Sequence, residues 1–246
     1  MRMKQLTKRI LFPLLPDSLL KRMRAKHYLK KFSELTGEEE PEMAIINDLV
    51  KDGDSVLDIG ANFGAYTKLF SNLVGEKGQV LSFEPIPEVN GYLKANLRSG
   101  NIHNVLVHNF ALSNSSGKAN FSIPKFDHSG NNFYEGHITE GEGDITVEVQ
   151  RLDDLGIARK ISFVKCDVEG AELLVLKGGV EFIAKHRPIF MLEINSDITT
   201  PEAKELIQFM DKCDYEIRFM EGNKLVKAKP DSHGVNYFFF YRDSIQ

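Results

Sequence analysis

The stretch at residues 55–67, SVLDIGANFGAYT, constrains the fold of this chain more than any other part of its sequence. Its apolar run at residues 56–59 predicts a buried strand that stops at Gly60. After Gly64, apolar residues at helical spacing predict a helix over residues 66–74. A strand, a glycine turn and a helix open a nucleotide-binding βαβ unit. The chain is therefore expected to form an α/β sheet that binds a ligand beside this turn.

This turn differs from the dinucleotide-binding motif at two residues. Gly60 and Gly64 let the backbone turn tightly because they carry no Cβ, but Asn62 stands where that pattern places its second glycine. Asp58, at the carboxyl end of the strand, would repel a pyrophosphate and would suit a positively charged group. S-adenosylmethionine carries a sulfonium and an ammonium group and no phosphate. The turn therefore favours S-adenosylmethionine over a nicotinamide dinucleotide.

A second acidic residue follows the next predicted strand. Residues 79–83 form that strand, and Glu84-Pro85 ends it. In Rossmann-like folds an acidic residue at this position accepts hydrogen bonds from ribose hydroxyls. After a third predicted strand at residues 105–107, residues 109–113, which include Ala111, are expected to line an adenine pocket.

Strands and helices alternate along the rest of the chain. Further helices are predicted at residues 42–50, 87–99, 171–185 and 201–212, and further strands at residues 161–166 and 188–194. At the end of the chain, residues 215–220 and 235–241 resemble an antiparallel pair, with a turn at Gly222-Asn223. This order predicts a mostly parallel sheet with one reversed edge strand.

Composition excludes several classes of protein. The chain has 246 residues, 27% charged and 42% hydrophobic, which is typical of one large soluble α/β domain. Its net charge of −4 gives no basis for a nucleic-acid partner. Cys166 and Cys213 fit neither a disulfide framework nor a zinc site, so a reducing compartment such as the cytoplasm is expected. No apolar run reaches membrane-spanning length.

Residues 1–41 are predicted to be an extension that precedes a domain at residues 42–246. Residues 1–32 are basic and amphipathic, and Pro13 and Pro16 divide them into two short helical pieces. They lack a small-residue cleavage site after an apolar core, so no signal peptide is expected. The segment is interpreted either as lying on an anionic membrane surface or as packing on the domain or a second copy of the chain. The interrupting prolines favour packing.

Three motifs together resemble the FkbM family of S-adenosylmethionine-dependent methyltransferases. They are VLDIGANFGAYT at residues 56–67, FEP at residues 83–85 and FVKCDVEGAE at residues 163–172. The resemblance covers about residues 42–242. It implies a Rossmann-like seven-stranded methyltransferase sheet in the order 3-2-1-4-5-7-6, with strand 7 antiparallel and helices on both faces. It also implies methyl transfer to a hydroxyl of a sugar, glycolipid or secondary metabolite, and hence a small-molecule or glycan acceptor.

Site residues follow from the motifs and the resemblance. The residues expected to bind the cofactor are Asp58, Gly60, Ala61, Asn62, Gly64, Tyr66, Thr67, Glu84, Pro85, Ala111 and Asp167. Because the cofactor supplies the methyl group, the protein must align the acceptor and remove one proton from its hydroxyl.

Candidate bases lie at the predicted strand ends. They are Asp167, which topology places best, and its neighbours Glu169 and Glu193. Several carboxylates close together would raise the pKa of one of them, which helps a base near neutral pH. His128 and His137 are alternative bases, because a polar loop at residues 124–144 of this length is usually functional and is expected to border the acceptor site. Alternating runs on either side of this loop predict additional edge strands.

A divalent ion is an alternative at the same carboxylates. Asp167 and Glu193, with Glu169 or a loop histidine, are suitable ligands for Mg²⁺, which would bind an acceptor diol and lower the pKa of its hydroxyls.

Two other functions stay open from the sequence. One is a nicotinamide-dependent oxidoreductase, against which Asn62 and Asp58 argue, and the other is a non-catalytic cofactor-binding scaffold. The scaffold is disfavoured because Asp58, Gly60 and Glu84 are all present.

Overall fold

The computed structural model describes residues 16–126, 130–139, 141–194, 198–229 and 232–244. That part of the chain contains fourteen strands, seven α-helices and three short 3-10 helices. The strands are β1 (Ser55–Ile59), β2 (Gln79–Phe83), β3 (Val105–His108), β4 (Ala111–Leu112), β5 (Gly117–Ser122), β6 (Lys125–Phe126), β7 (Gly130–Asn131), β8 (His137–Thr139), β9 (Ile145–Gln150), β10 (Phe163–Cys166), β11 (Ile189–Glu193), β12 (Tyr215–Glu221), β13 (Lys224–Lys227) and β14 (Asn236–Tyr241). The helices are α1 (Asp17–Glu34), α2 (Pro41–Leu49), α3 (Ala65–Val74), α4 (Pro87–Ser99), α5 (Glu172–Lys177), α6 (Val180–His186) and α7 (Pro201–Lys212).

The main sheet has the strand order β13-β12-β14-β11-β10-β1-β2-β3. Strands β3, β2, β1, β10 and β11 are parallel neighbours, as the alternation of strands and helices predicts. Residues 56–59 of β1 are all buried, and Val56 on one face of the sheet and Leu57 and Ile59 on the other belong to apolar clusters. Burial on both faces explains why these strands appear in the sequence as continuous apolar runs.

The far half of this sheet corrects two predictions. Strand β14 runs antiparallel to both β11 and β12, and the edge strand β13 runs antiparallel to β12, so two strands are reversed and one of them lies inside the sheet. Tyr237, Phe238 and Phe239 are all fully buried, which suits an interior strand covered on both faces. The turn at Gly222-Asn223 leads into β13, which adds an eighth strand to the seven expected. The α/β architecture is therefore confirmed, whereas a seven-stranded count is not.

A second sheet covers the carboxyl end of the main sheet. Its strand order is β4-β9-β5-β8, so the prediction that β5 and β9 extend the main sheet is wrong. One face of this pair buries Phe121 and Val147 in a cluster that also contains Ile86 and Phe133. The alternating pattern reflects this half-buried sheet. The polar segment between β5 and β9 contributes the short strands β6, β7 and β8.

The helix predicted over residues 171–185 is two helices, α5 and α6, separated by Gly178-Gly179. The side chain of Asp153 accepts a hydrogen bond of 2.8 Å from the amide of Phe182 in the first turn of α6. This contact fixes the start of α6, and the pair Gly178-Gly179 is the local signal for the break that the prediction of a single helix missed.

Helix α1 packs on the rest of the chain. Phe32 and Tyr28 are buried, and the Tyr28 ring stacks on Phe63 with a centroid separation of 5.4 Å. Lys68 Nζ donates to the carbonyl oxygens of Phe32 and Leu35 at 3.0 and 2.9 Å. The interpretation favoured from the sequence, packing on the domain, therefore holds for residues 17–34, while residues 1–15 lie outside the described part. None of the described helices is long and apolar enough to cross a membrane.

We expect Phe32→Ala to lower the free energy of unfolding by about 3 kcal/mol, because truncating a buried aromatic side chain leaves a cavity. Only 2% of Phe32 is exposed. Leu29→Ala is the matched control on the same helix, since 38% of Leu29 is exposed, and it should cost less than about 1 kcal/mol. Urea unfolding of both variants measures the difference. Equal small losses would mean that α1 is not an integral part of the folded chain.

Candidate active site

The turn after β1 is held against the segment that follows β10. Gly60 has φ +81°, and a Cβ at this position would lie 1.8 Å from the carbonyl oxygen of Asp167. The amide of Asp167 in turn donates to the carbonyl of Ile59 at 3.1 Å. The absence of a side chain at Gly60 thus allows two backbone segments to touch. This contact places Asp167 directly beside the glycine turn.

A cavity opens at the carboxyl ends of the parallel strands, where open α/β sheets bind ligands. Its ionisable lining residues are Glu40, Asp58, Tyr66, Glu84, Lys165, Asp167, Glu169 and Glu193. Its apolar wall includes Phe83, Ile86, Phe110, Ala111, Leu112, Phe121, Phe133 and Ile138, to which the second sheet contributes. The cavity therefore combines a group of carboxyl groups with an apolar surface.

Asp58 is fully buried and lines this cavity. Its Oδ2 accepts a hydrogen bond of 2.5 Å from Thr67 Oγ1, whereas its Oδ1 has no hydrogen-bond partner in the described part of the chain. Burial raises the pKa of Asp58, and Lys165 and the bond from Thr67 oppose that rise. An unpartnered buried oxygen beside a cavity is suited to a ligand that brings a donor or a positive charge.

Glu84 fixes the other side of the glycine turn. Its Oε2 accepts from the amide of Asn62 at 3.0 Å, and its Oε1 accepts from the amide of Ile86 at 2.8 Å. Burial raises the pKa of Glu84 to about 7, against the effect of these two hydrogen bonds. Asn62 itself has φ +49°, which this carboxylate helps to hold. Glu84 therefore supports the turn, and a ribose contact through it stays a prediction.

Asp167, Lys165 and Glu193 form a connected group at the ends of β10 and β11. Lys165 Nζ is 2.9 Å from Asp167 Oδ2, and only 4% of the lysine side chain is exposed. Burial alone would raise the pKa of Asp167, but Lys165 and a hydrogen bond from Glu193 lower it below its usual value. Burial raises the pKa of Glu193 to about 9, together with the hydrogen bond to Asp167 and the negative charge of Asp167. At neutral pH the pair therefore shares one proton.

Glu169 lies beside this pair in a left-handed backbone conformation, with φ +54°. Burial, followed by the charges of Asp167, Glu172 and Glu135, raises the pKa of Glu169 to about 7. Glu172 accepts hydrogen bonds from the amides of Val168 and Gly170 at 2.9 and 3.3 Å, so it holds the loop that carries Glu169. Glu172 therefore has a structural role in the first turn of α5, where the helix dipole also favours a carboxylate.

One oxygen from each of Asp167, Glu169 and Glu193 lies within 4.8 Å of the others, a spacing that a divalent ion can bridge. Lys165, however, already supplies a positive charge to Asp167. A cation would have to compete with this ammonium group, so the donor set fits a shared proton better than a metal ion. The predicted metal ligands are brought together, and metal binding stays a prediction.

The structure adds Glu40, a residue that the sequence does not indicate. The hydroxyl of Tyr66 donates to Glu40, and both residues line the cavity. Burial and this carboxylate raise the pKa of Tyr66, which keeps its hydroxyl protonated. The Tyr66 ring centroid lies 4.7 Å from Lys165 Nζ, in cation–π contact. The segment before α2 therefore reaches the group around Asp167, although it was predicted to be separate from the domain.

Lys165 had a recognisable signal, because it interrupts an otherwise apolar strand, FVKC. A lysine that is almost fully buried requires a partner, which here is Asp167. The contacts of Lys165 with Asp167 and Tyr66 place it in the cavity lining.

The other predicted residues are distributed around the cavity. Gly60, Ala61, Asn62, Tyr66, Pro85 and Ala111 line it. Gly64 and Thr67 do not line it, because Gly64 faces Leu93 and Thr67 lies behind Asp58. His137 lies on β8 near Glu169, whose raised pKa it counteracts, and its Nδ1 is 2.9 Å from the carbonyl oxygen of Glu135. His128 lies outside the described residues.

An open sheet with a parallel core and a glycine turn beside strand-end carboxylates defines an α/β fold of the methyltransferase type. The methyltransferase FkbM from Methylobacillus flagellatus KT has a similar fold, with a TM-score of 0.50 and 17% sequence identity. The similarity covers 88% of this chain and 59% of that chain. The chain belongs to the FkbM family, because the methyltransferase FkbM domain matches its residues 58–217. The family predicted from the motifs is confirmed.

Two relatives have recorded activities in their names. The chain is 31% identical over 163 residues to the 2-O-methyltransferase NoeI of Sinorhizobium fredii, which covers 59% of this chain and 65% of NoeI. It is 30% identical over 151 residues to the hexuronic acid methyltransferase AglP of Haloferax volcanii, and the matched region covers 60% of this chain and 59% of AglP. The chain thus matches less than two thirds of the length of either relative.

Proposed function

We propose that this chain is an S-adenosylmethionine-dependent O-methyltransferase that transfers a methyl group to a hydroxyl of a sugar or a sugar-bearing lipid or metabolite. The observation that carries the proposal is the unpartnered Oδ1 of buried Asp58, which faces the same cavity as the Asp167–Glu193 pair. One carboxyl group is thus available to a cationic cofactor and another to an acceptor hydroxyl. The names of the two relatives, a 2-O-methyltransferase and a hexuronic acid methyltransferase, support a sugar acceptor.

The cavity residues fit S-adenosylmethionine, which supplies an activated methyl group when it is bound. Asp58 Oδ1 is the proposed partner for a donor or positive charge of the cofactor, since it is buried and no described group pairs with it. Glu84 is the proposed ribose partner, because each carboxylate oxygen has a second lone pair in addition to the one that accepts a backbone amide. Phe83 and Ala111, in the apolar wall, are proposed to contact the adenine.

Asp167 is the proposed general base. It is ionised at neutral pH because Lys165 and the proton on Glu193 stabilise its carboxylate. The acceptor hydroxyl is proposed to donate a hydrogen bond to Asp167, which would accept its proton when the cofactor's sulfonium gives up the methyl group and becomes a neutral thioether. Glu169 is the second candidate base, because its pKa of about 7 places its titration at the operating pH. A rate that is flat around pH 7 indicates Asp167, whereas a rate that rises through pH 7 indicates Glu169.

Calorimetric titration tests the cofactor proposal directly. S-adenosylmethionine is expected to bind in the micromolar range and NAD not to bind, because the carboxyl groups around the turn repel a pyrophosphate. Each titration is repeated with a chelator and with Mg²⁺. Loss of binding in chelator would favour the metal alternative at Asp167 and Glu193. Binding of NAD instead would favour the oxidoreductase, and cofactor binding without turnover on any acceptor would favour a scaffold.

Asp58→Asn is expected to weaken S-adenosylmethionine binding by about 10- to 100-fold, because a hydrogen bond or charge contact with an ionised group is lost. S-adenosylhomocysteine, which lacks the sulfonium charge, should lose less affinity. Thr67→Val is the matched control, since it removes the partner of Oδ2 and leaves Oδ1 in place. Calorimetry with both ligands measures the four constants. Equal losses for the two ligands in Asp58→Asn would refute a contact with the sulfonium and would leave the ammonium group, which both ligands carry, as the partner of Asp58.

Glu193 gives the apo protein a specific pH dependence. Because burial and Asp167 raise its pKa from 4.5 to about 9, Glu193 stabilises the fold fully below pH 4.5, and that contribution is lost as the pH rises through 9. Glu193→Gln should therefore become more stable relative to the native chain as the pH rises from 5 to 9, by on the order of 1 kcal/mol after solvent screening. Urea unfolding at three pH values tests this, with exposed Glu202→Gln as the control. A constant difference would contradict the shared proton.

Location and partners are proposed on separate grounds. Cys166 and Cys213 are both free, which supports a reducing compartment such as the cytoplasm. The outer face of α1 exposes Leu19 and Met23 among basic residues. We propose this face as the place where either an anionic membrane or a second copy of the chain would bind, and liposome flotation and gel filtration distinguish the two.

A further inference from the structure

Positive charge is scarce in the described lining of the cavity. Lys165 is the only basic residue there, against six carboxyl groups. Its Nζ is 2.9 Å from Asp167 Oδ2 and 4.7 Å from the ring centroid of Tyr66, and the side chain is almost fully buried. Lys165 is therefore engaged on both sides by protein groups. Its ammonium group is already paired with a protein carboxylate and is buried, so it is a poor partner for the carboxylate of a ligand.

The carboxyl groups are concentrated where the acceptor hydroxyl is proposed to bind. Asp167, Glu169 and Glu193 bring one oxygen each within 4.8 Å of the others. Glu135 lies close enough to act on the pKa of Glu169. A further negative charge at this place would be desolvated beside the carboxyl groups of Asp167 and Glu169, and His137 is the basic residue that opposes their effect on Glu169.

A sugar ring is small, so the unfavourable binding of a negative charge applies to every position on the ring that is methylated. The substituents of a pyranose ring lie closer to any of its hydroxyls than one Debye length, which is about 8 Å at physiological ionic strength. A uronate whose hydroxyl reaches Asp167 therefore places its own carboxylate within range of the carboxyl groups of Asp167 and Glu169. An amino group at the same position would instead be attracted.

We propose that the sugar ring methylated by this chain carries no carboxylate, and that an amino sugar binds better than a neutral one. This inference rests on the proposed sugar methyltransferase function and narrows its substrate class. It separates the chain from AglP, whose name specifies a hexuronic acid. Family membership alone does not predict such a difference, because it arises from the few charged groups that line the acceptor end.

The test uses methyl glycosides that differ only in the group at carbon 6, which is a hydroxymethyl, an aminomethyl or a carboxylate. Sets with gluco, galacto and manno rings are titrated into the full chain saturated with S-adenosylhomocysteine, in the presence of a chelator, and binding is followed by saturation-transfer NMR. In the sets that bind, we expect the uronide to bind at least about tenfold more weakly than the neutral glycoside and the amino glycoside to bind most tightly. Higher salt and the variant Glu169→Gln should both reduce the difference in affinity between the uronide and the neutral glycoside.

Three results would overturn the inference. They are a uronide that binds as tightly as its neutral counterpart, a uronide that binds only when Mg²⁺ replaces the chelator, and no binding by any set while S-adenosylhomocysteine binds. The last result would remove the sugar ring from this end of the cavity. Failure of S-adenosylhomocysteine itself to bind would instead refute the proposed function, so the two failures are distinguishable.

Discussion

Asp167→Asn is expected to reduce the rate of methyl transfer by about 10²- to 10⁴-fold, the range that a positioned general base contributes. The asparagine side chain has nearly the shape of the aspartate but cannot accept the hydroxyl proton. The dissociation constant of S-adenosylmethionine should change only a few-fold, because the proposed charge contact of the cofactor is with Asp58. Single-turnover formation of S-adenosylhomocysteine on an active acceptor measures the rate, and calorimetry measures the affinity.

The control for this variant concerns Lys165, which Asp167→Asn leaves buried beside a neutral amide. An uncompensated buried charge is strongly destabilising, so a loss of activity could reflect a loss of folded protein. The double variant Lys165→Met with Asp167→Asn removes both charges and should restore stability without restoring transfer. If the double variant regains activity, Asp167 serves mainly to neutralise Lys165. Normal turnover in the single variant would remove Asp167 as the base.

The parts of the site that could be predicted are those fixed by local pattern and strand order. Asp58 and Asp167 follow apolar runs, and the carboxyl ends of neighbouring parallel strands meet at one edge of the sheet. The same rule brings Glu193 next to Asp167 through the pairing of β10 with β11. Predicting that carboxylates would cluster and raise the pKa of one of them therefore needed no tertiary information.

The parts that could not be predicted depend on contacts between segments that are distant in sequence. Glu40 enters the cavity through a hydrogen bond from Tyr66, 26 residues away, and nothing in the local sequence indicates this partner. The strands β5 and β9 have the alternation of any half-buried pair, and only their packing over Ile86 and Phe133 assigns them to a second sheet. The position of β14 inside the main sheet likewise depends on its pairing with β11 and β12, which the local sequence pattern does not reveal.

Gly60→Ala is expected to lower the free energy of unfolding by more than about 4 kcal/mol, or to prevent folding. A left-handed backbone at an alanine accounts for about 1–2 kcal/mol. The larger effect comes from contact, since the new Cβ would lie 1.8 Å from the carbonyl oxygen of Asp167, a backbone atom that cannot move away alone. Separation of the two segments would also shift Asp167 and weaken the hydrogen bond that its backbone amide donates to the carbonyl oxygen of Ile59. Stability and activity should therefore fall together.

Gly53→Ala separates the two contributions, because Gly53 has a similar φ of +85° and a Cβ added there would meet no described atom within 4 Å. It should cost only the 1–2 kcal/mol or so of backbone strain and leave activity unchanged. Urea unfolding and S-adenosylmethionine titration of both variants supply the comparison. The largest expected effect is that Gly60→Ala does not accumulate as folded protein, whereas Gly53→Ala does. If the two variants lose equal stability, the close approach is relieved by local adjustment. The glycine at the turn would then serve the ligand and not the contact with Asp167, which is the interpretation that the sequence motif alone suggests.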